Sequence, residues 1–241
     1  SSGDGRKQRY SYWDALALLR GVMSSPLAGI SMLEKKAHKK SLASDAGETD
    51  TDDFADGSES VMDLDYSADD NLPLSVIGKN PVKGDPEARR LLEYAQRLRN
   101  VFGVDKDLKA REAIAQVKQY IDKGLNPIVY CRYIHTAKYL GTVFQDHLND
   151  KKYKNLHIEV ITSELNDELR KEKIELMNES QRRLLIATDC LSEGINLQEG
   201  FNAILHYDLP WNPNRLEQRE GRIDRFGQRS PSVEVTLLYG S

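Results

Sequence analysis

Leu216-Glu-Gln-Arg-Glu-Gly-Arg-Ile-Asp-Arg-Phe-Gly-Gln228 is the stretch on which the reading of this chain turns. With Arg215 just before it, four arginines (215, 219, 222 and 225) recur at spacings of three and four. On a helix that spacing puts them along one side, leaving Leu216, Ile223 and Phe226 to anchor another side in a core. Arginine suits planar, bidentate contact with phosphate, and its charge cannot be titrated away. A stripe of this kind taken alone also fits a solvated helix laced with Arg–Glu pairs, for which Glu217 and Glu220 are available. The decision falls to the residues upstream.

Working back, short apolar runs alternate with helical periodicities. Residues 128–131, 157–161, 184–187, 203–206 and 233–239 read as strands. Helices are expected over 86–102, 107–123 (with Leu108, Ala113, Ile114, Val117 and Ile121 inward and Gly124 closing), 135–148 and 167–177. Apolar runs of four to seven residues separated by helices of ten or more imply a parallel sheet covered on both faces. The fold class is therefore α/β, from about residue 105 onward. Further upstream, Tyr12, Leu16, Leu19 and Met23 sit at helical spacing with Gly21 weakening the middle, and Pro26 opens a second helix. Trp13 is expected to pack these N-terminal helices together.

The 241 residues carry a formal charge of −4 that is unevenly spread. Residues 1–40 hold eight basic and three acidic side chains, whereas 41–70 hold eleven acidic and no basic ones. The rest of the chain is mildly basic, so an acidic whole does not argue against a nucleic-acid partner. The acidic block has few large apolar groups with which to offset the entropy of ordering, and it reads as a disordered linker. The organisation expected is an N-terminal helical segment over 1–40, an acidic linker over 41–75, and an α/β domain with leading helices over 76–241. No apolar run approaches the roughly 18 residues of a membrane span, and no secretory signal precedes the strands, so a cytoplasmic location and no membrane partner are expected. Cys131 and Cys190, both in apolar strand-like surroundings, read as buried free thiols. The scattered histidines lack metal-ligand spacing, so no metal site is expected. The opening residues read as a tag remnant or an internal start, and the chain as a piece of something longer.

In open α/β sheets ligands bind beyond the carboxyl ends of the strands. The residues there are Arg132, Tyr133, His135 and Thr136; Thr162, Ser163 and Glu164; Thr188, Asp189, Ser192, Glu193 and Gly194; and Asp208, Trp211 and Asn212. Hydroxyls, cations and free backbone donors suit an anionic ligand. Trp211, between Pro210 and Pro213, is expected to be a loop anchor packed on the sheet.

The order of these segments carries a resemblance. Ile128-Val-Tyr-Cys-Arg-Tyr133, Ile161-Thr-Ser-Glu-Leu-Asn-Asp-Glu-Leu-Arg170, Ile186-Ala-Thr-Asp-Cys-Leu-Ser-Glu-Gly-Ile-Asn-Leu197, Leu205-His-Tyr-Asp-Leu-Pro-Trp-Asn-Pro213 and Gln218 to Gln228 follow one another as helicase motifs IV to VI do. Residues 127–229 resemble the second RecA-like lobe of superfamily-two helicases, above all Swi/Snf-type ATPases of the bacterial RNA-polymerase-associated recycling-factor kind. Residues 1–126 are matched only loosely, as helices that such enzymes insert near the lobe boundary.

The resemblance implies roles. Arg222 and Arg225 match the motif VI arginines that reach the ATP phosphates, with Arg225 at the arginine-finger position and Glu220 and Asp224 as positioning partners. Gln218, Gly194 and Asn196 would lie on the nucleotide side. Arg132, Tyr133, Thr162, Ser163 and Thr188 would hold nucleic-acid phosphates, DNA rather than RNA. The cofactor implied is ATP with Mg2+, bound mainly by an N-terminal RecA-like lobe of the same protein. Arg219 and Gly221 depart from the Swi/Snf pattern, which has Ala and Asp, respectively, at those places, and Gly221 within a helix would cost about 1 kcal/mol against Ala. No Gly-x-x-x-x-Gly-Lys-[Ser/Thr] loop occurs; Gly78-Lys79 runs into Asn80. The phosphate cradle would then lie in the preceding lobe, and this chain alone should hydrolyse no ATP. The competing expectation is a non-catalytic RecA-like module that binds nucleic acid or protein.

Overall fold

The computed structural model describes residues 2–45, 85–191, 195–228 and 230–239. The chain divides into two compact units, residues 1–102 and 103–241. The expected acidic linker lies outside the described residues from position 46 on, and positions 41–45 close a helix instead.

The first unit contains α1 (Ser2–Ser24), α2 (Pro26–Asp45) and α3 (Pro86–Arg99). Pro26 opens α2 as expected, and the Ser25 hydroxyl caps it by accepting the Ala28 N–H at 3.1 Å. Ile30, Leu33 and Ala37 of α2 share a core with Ala88, Leu91 and Ala95 of α3. Gly21 has a packing reason, because a Cβ there would sit 2.1 Å from Met32 Sδ. That contact turns α1 away from its expected facing: Tyr12, Leu19 and Met23 are exposed. Leu18, one residue off the expected stripe, is the side chain that reaches the core. Trp13 is half-buried and meets Tyr12 edge-on, with ring centroids 5.6 Å apart.

The second unit is built of α4 (Leu108–Asp122), β1 (Pro127–Tyr130), α5 (Ile134–His147), β2 (Leu156–Ile161), α6 (Asp167–Asn178), β3 (Arg182–Ala187), β4 (Ala203–His206), α7 (Asn214–Glu220) and β5 (Glu234–Leu237). Every expected strand is present, with ends moved by at most two residues. Asp107 and Asn166 cap α4 and α6 by accepting the N–H of Ala110 and Leu169. Gly124, at φ +80°, turns the chain out of α4. Leu108 is not inward but exposed, because it sits in the first turn beside the cap.

The five strands pair in the order β2-β3-β1-β4-β5, all parallel. Ile128, Tyr130, Ile161 and Leu185 face a core with Ile174 and Met177 of α6 and with Ile223. Val160, next to Ile161 and hence on the opposite face, meets α5, where a Cβ on Gly141 would lie 2.5 Å from Val160 Cγ2. Helices therefore cover both faces, as the alternating pattern requires. Register decides what comes next. Ile161 pairs with Ala187, Ala187 with Tyr130, and Tyr130 with His206. Four strands thus end level, and the loops after them open along one edge. No helix among the described residues is long and apolar enough to cross a membrane.

Candidate nucleotide and nucleic-acid edge

The arginine stretch is not one long helix. The helix α7 stops at Glu220, with Gly221 as its C-cap at φ −64°. Gly221 is therefore terminal and carries no mid-helix cost. Residues 221–227 form hydrogen-bonded turns, including Ile223 N–H to Glu220 O at 2.9 Å and Gln228 N–H to Arg225 O at 3.0 Å. The Gln228 amide pins them by donating to Phe201 O and Ile223 O, both at 3.0 Å. The expected anchors separate: Ile223 is buried, Leu216 half-buried, and Phe226 fully exposed. With the helix ended, Phe226 no longer follows Ile223 onto the inner face.

The arginines separate as well. Arg219 is 2% exposed and lies at the centre of the edge. Its Nε and Nη2 donate to the two oxygens of Asp189, at 2.6 and 2.8 Å. Its Nη1 donates to Asp208 O at 3.0 Å and faces His206 Nδ1 at 3.4 Å, while its guanidinium lies 5.1 Å from the Tyr130 ring centre. One side chain thus ties α7 to the ends of β1, β3 and β4. Burial alone would raise the Asp189 carboxyl, but the Arg219 fork, with the charges of Arg215 and Arg222, holds it below the usual range. Burial likewise works against the Arg219 charge, and Asp189 outweighs it, so Arg219 is raised.

His206 is fully buried and stacked on Tyr130. Burial, then the Arg219 charge, lower it to about 4. It is therefore neutral near pH 7. With Arg219 donating toward Nδ1, the ring proton belongs on Nε2, which faces Glu220 Oε1 at 3.3 Å. Glu220 is thus a partner of His206, not of Arg222, and burial with Glu217 and Asp224 nearby raises its carboxyl. Arg222 is half-buried and Arg225 exposed, and among the described residues neither makes an ion pair with Glu220 or Asp224.

The remaining expected positions fall along the same edge. Arg132 donates its N–H to Asp208 Oδ2 at 3.0 Å, and its guanidinium lies 5.5 Å from the Tyr133 ring. Tyr133 is the N-cap residue of α5. Thr162 is buried, with its hydroxyl 3.3 Å from Glu164 Oε2. The Ser163 carbonyl accepts Arg170 Nη2 at 3.3 Å. Thr188 is buried, its N–H on Ile161 O. Gln218 and Asn196 are exposed, the latter donating to Glu199 Oε1 at 2.5 Å. Gly194, with Ser192 and Glu193, lies outside the described residues. Trp211 is not packed on the sheet but 61% exposed. Cys131 is buried and Cys190 half-buried, both free, and burial pushes both thiols up.

Arg219, Asp189 and His206 are the structural centre that sequence reasoning did not single out. A signal existed for Arg219: it lies three residues after Leu216 and four before Ile223, on the stripe that turns inward. No comparable local signal marks Asp189, which reaches Arg219 from 30 residues away.

An all-parallel α/β lobe with its strand ends level, bridged by an arginine from the helix after β4, defines the class as RecA-like. Residues 111–227 match the helicase conserved C-terminal domain family. This segment is similar to the C-terminal lobe of superfamily-two helicases. Over 46 residues, 19% of this chain and 8% of the relative, it is 63% identical to an uncharacterized ATP-dependent helicase, YqhH, of Bacillus subtilis strain 168. Over 64 residues, 26% of this chain and 6% of the relative, it is 44% identical to the RNA polymerase-associated protein RapA of Vibrio vulnificus strain YJ016. The aligned segments are thus a small part of these relatives' length. The Sulfolobus solfataricus SWI2/SNF2 ATPase core in complex with dsDNA superposes with a TM-score of 0.45 at 17% identity, over 63% of this chain and 32% of that one.

Proposed function

We propose that this chain is the second motor lobe of an ATP-dependent nucleic-acid translocase. Arg222 and Arg225 would face the phosphates of an ATP whose Mg2+ ligands and phosphate cradle belong to a preceding lobe. The bound nucleotide would supply the free energy of hydrolysis. Arg222 and Arg225 would stabilise charge that builds on the transferring phosphoryl group, an effect on the order of a thousandfold or more in related chemistry. Gln218, Asn196 and Gly194 would border the nucleotide. Arg132, Tyr133, Thr162, Ser163 and Thr188 would follow the backbone of DNA, mainly through phosphates, so binding would fall steeply with salt. The protein would work in the cytoplasm.

The observation that carries this reading is the division of labour among the arginines. Arg219 is consumed by Asp189, and Arg222 and Arg225 follow it in a pinned turn with no carboxylate paired to either among the described residues. Two cations with no carboxylate in direct contact suit a phosphate brought from outside. In the protein carrying both lobes, Arg225→Ala should abolish DNA-stimulated ATP hydrolysis while leaving DNA affinity nearly unchanged. Unchanged turnover would overturn the assignment. Competition of DNA against RNA of the same sequence tests the choice of track.

A further inference from the structure

The amino-terminal edge of the sheet carries a feature that the motor reading does not use. Where β2 and β3 begin, paired Leu156 to Arg182, a cavity of about 440 Å³ opens between the two preceding loops. Four cations line it, Lys151, Lys152, Lys154 and Arg182, together with the amides of Asn155 and Gln181, and no carboxylate does. Both strands are six residues long. The cavity is therefore roughly 17 Å from the level strand ends where Arg132 and Thr188 lie.

The cations are organised rather than scattered. Tyr153 is 4% exposed, and its ring has Lys118, Lys152 and Arg182 charges within 5.8, 5.5 and 5.6 Å. Arg182 Nη1 donates to Lys152 O at 2.6 Å, which fixes the guanidinium against the loop before β2. Two acids stand near: Asp122 takes the Lys152 ammonium at 2.7 Å, and Asp150 Oδ1 takes the Lys152 N–H. They leave a surplus of two positive charges. Lys151 and Lys154 are exposed and have no ion-pair or hydrogen-bond partner among the described residues.

We propose that this cavity is a second contact for the phosphate backbone of nucleic acid, at the opposite edge of the sheet from the motif residues. Lysine and arginine beside neutral amide donors are the inventory of backbone contacts. An acidic polypeptide fits less well, because the lining offers no apolar pocket for an anchoring side chain. A duplex engaged here would be held without sequence preference, in addition to any strand followed at the carboxyl-end edge.

The test uses the whole chain and a fluorescently labelled DNA duplex, with anisotropy read across a salt series. Lys151→Ala/Lys154→Ala removes two cations that support no described contact, so folding is preserved. The slope of log affinity against log salt should become shallower by about two. In the wild type, DNA should protect Lys151 and Lys154 from amine acylation read by mass spectrometry. An unchanged slope with no protection overturns the proposal. Protection by a peptide of residues 46–70 but not by DNA also overturns it and assigns the cavity to an acidic polypeptide. Arg132→Ala, measured alongside, reports on the motif edge separately. A loss with the lysine pair but not with Arg132 supports this site while counting against the groove at the other edge.

Discussion

Arg219 closes a two-point fork on Asp189, 2.6 Å from one oxygen and 2.8 Å from the other, with the guanidinium buried and the carboxylate half-buried. It joins the loop after β3 to the helix before the arginine turn. The positions of Arg222 and Arg225 then follow from a contact that neither makes. Only the loss of Asp189 would leave a charge both unpaired and buried; the loss of Arg219 leaves a half-buried carboxylate and the Asp208 carbonyl without their donor. Arg219→Ala should lower stability by about 1–3 kcal/mol, and Arg219→Lys, which keeps charge but loses the fork, by less. Urea midpoints of the two variants check this. An Arg219→Lys midpoint equal to that of the wild type would mean that the fork geometry is unimportant.

His206 should make the lobe acid-sensitive. Its folded value is lowered to about 4 from an ordinary 6.5. Between those values the unfolded chain binds the proton and the folded one does not, so stability falls as pH drops from 6.5 toward 4. The loss at the lower end is on the order of 3 kcal/mol. Asp189, held low, adds a further loss below about pH 4 by the same sign. His206→Asn, which can still accept from Arg219, should flatten the pH 6.5–4 part of a stability profile. A profile with the same slope in the variant would assign the effect elsewhere.

Ile223 and Phe226 should behave oppositely despite lying three residues apart. Ile223 is fully buried against Ile174 and Met177, and truncation to Ala should cost about 2–5 kcal/mol. Phe226 is fully exposed, and Phe226→Ser should change stability by less than about 0.5 kcal/mol. Thermal unfolding of both variants decides; a large loss for Phe226→Ser would place its ring inside.

Gly141 is held by its neighbour across the sheet. A Cβ there would stand 2.5 Å from Val160 Cγ2, so Gly141→Ala should cost roughly 1–3 kcal/mol by overpacking. Val160→Ala in the same chain should recover most of it. A double-mutant cycle that shows simple additivity would remove the proposed contact.

Much of this was open to reading in one dimension. The alternation of short apolar runs with helical periods identified all five strands and the parallel α/β class, since a strand covered on both faces must be apolar on both. The loops that gather at one edge were marked by their place after each run. Helix starts were legible where a side-chain cap announces them, as at Asp107 and Asn166. The facing of α1 does not follow from its helical spacing, because Gly21 is the point where Met32 packs, a contact from another helix. Trp211 is large and flanked by prolines, which suits an anchor, yet nothing local records whether a loop folds its side chain in.

The arginine stretch shows the same division most sharply. Composition and spacing, being local properties, are enough to place four fixed cations and their apolar neighbours after the fourth strand. Only the tertiary structure decided that α7 ends at Glu220, that Arg219 turns inward, and that Arg222 and Arg225 are left beyond it. The reason is that a buried charge is tolerated only where an opposite one reaches it. Asp189 comes from 30 residues away and arrives through the level ends of β3, β1 and β4. Such a distance in sequence becomes a contact only once the sheet has formed.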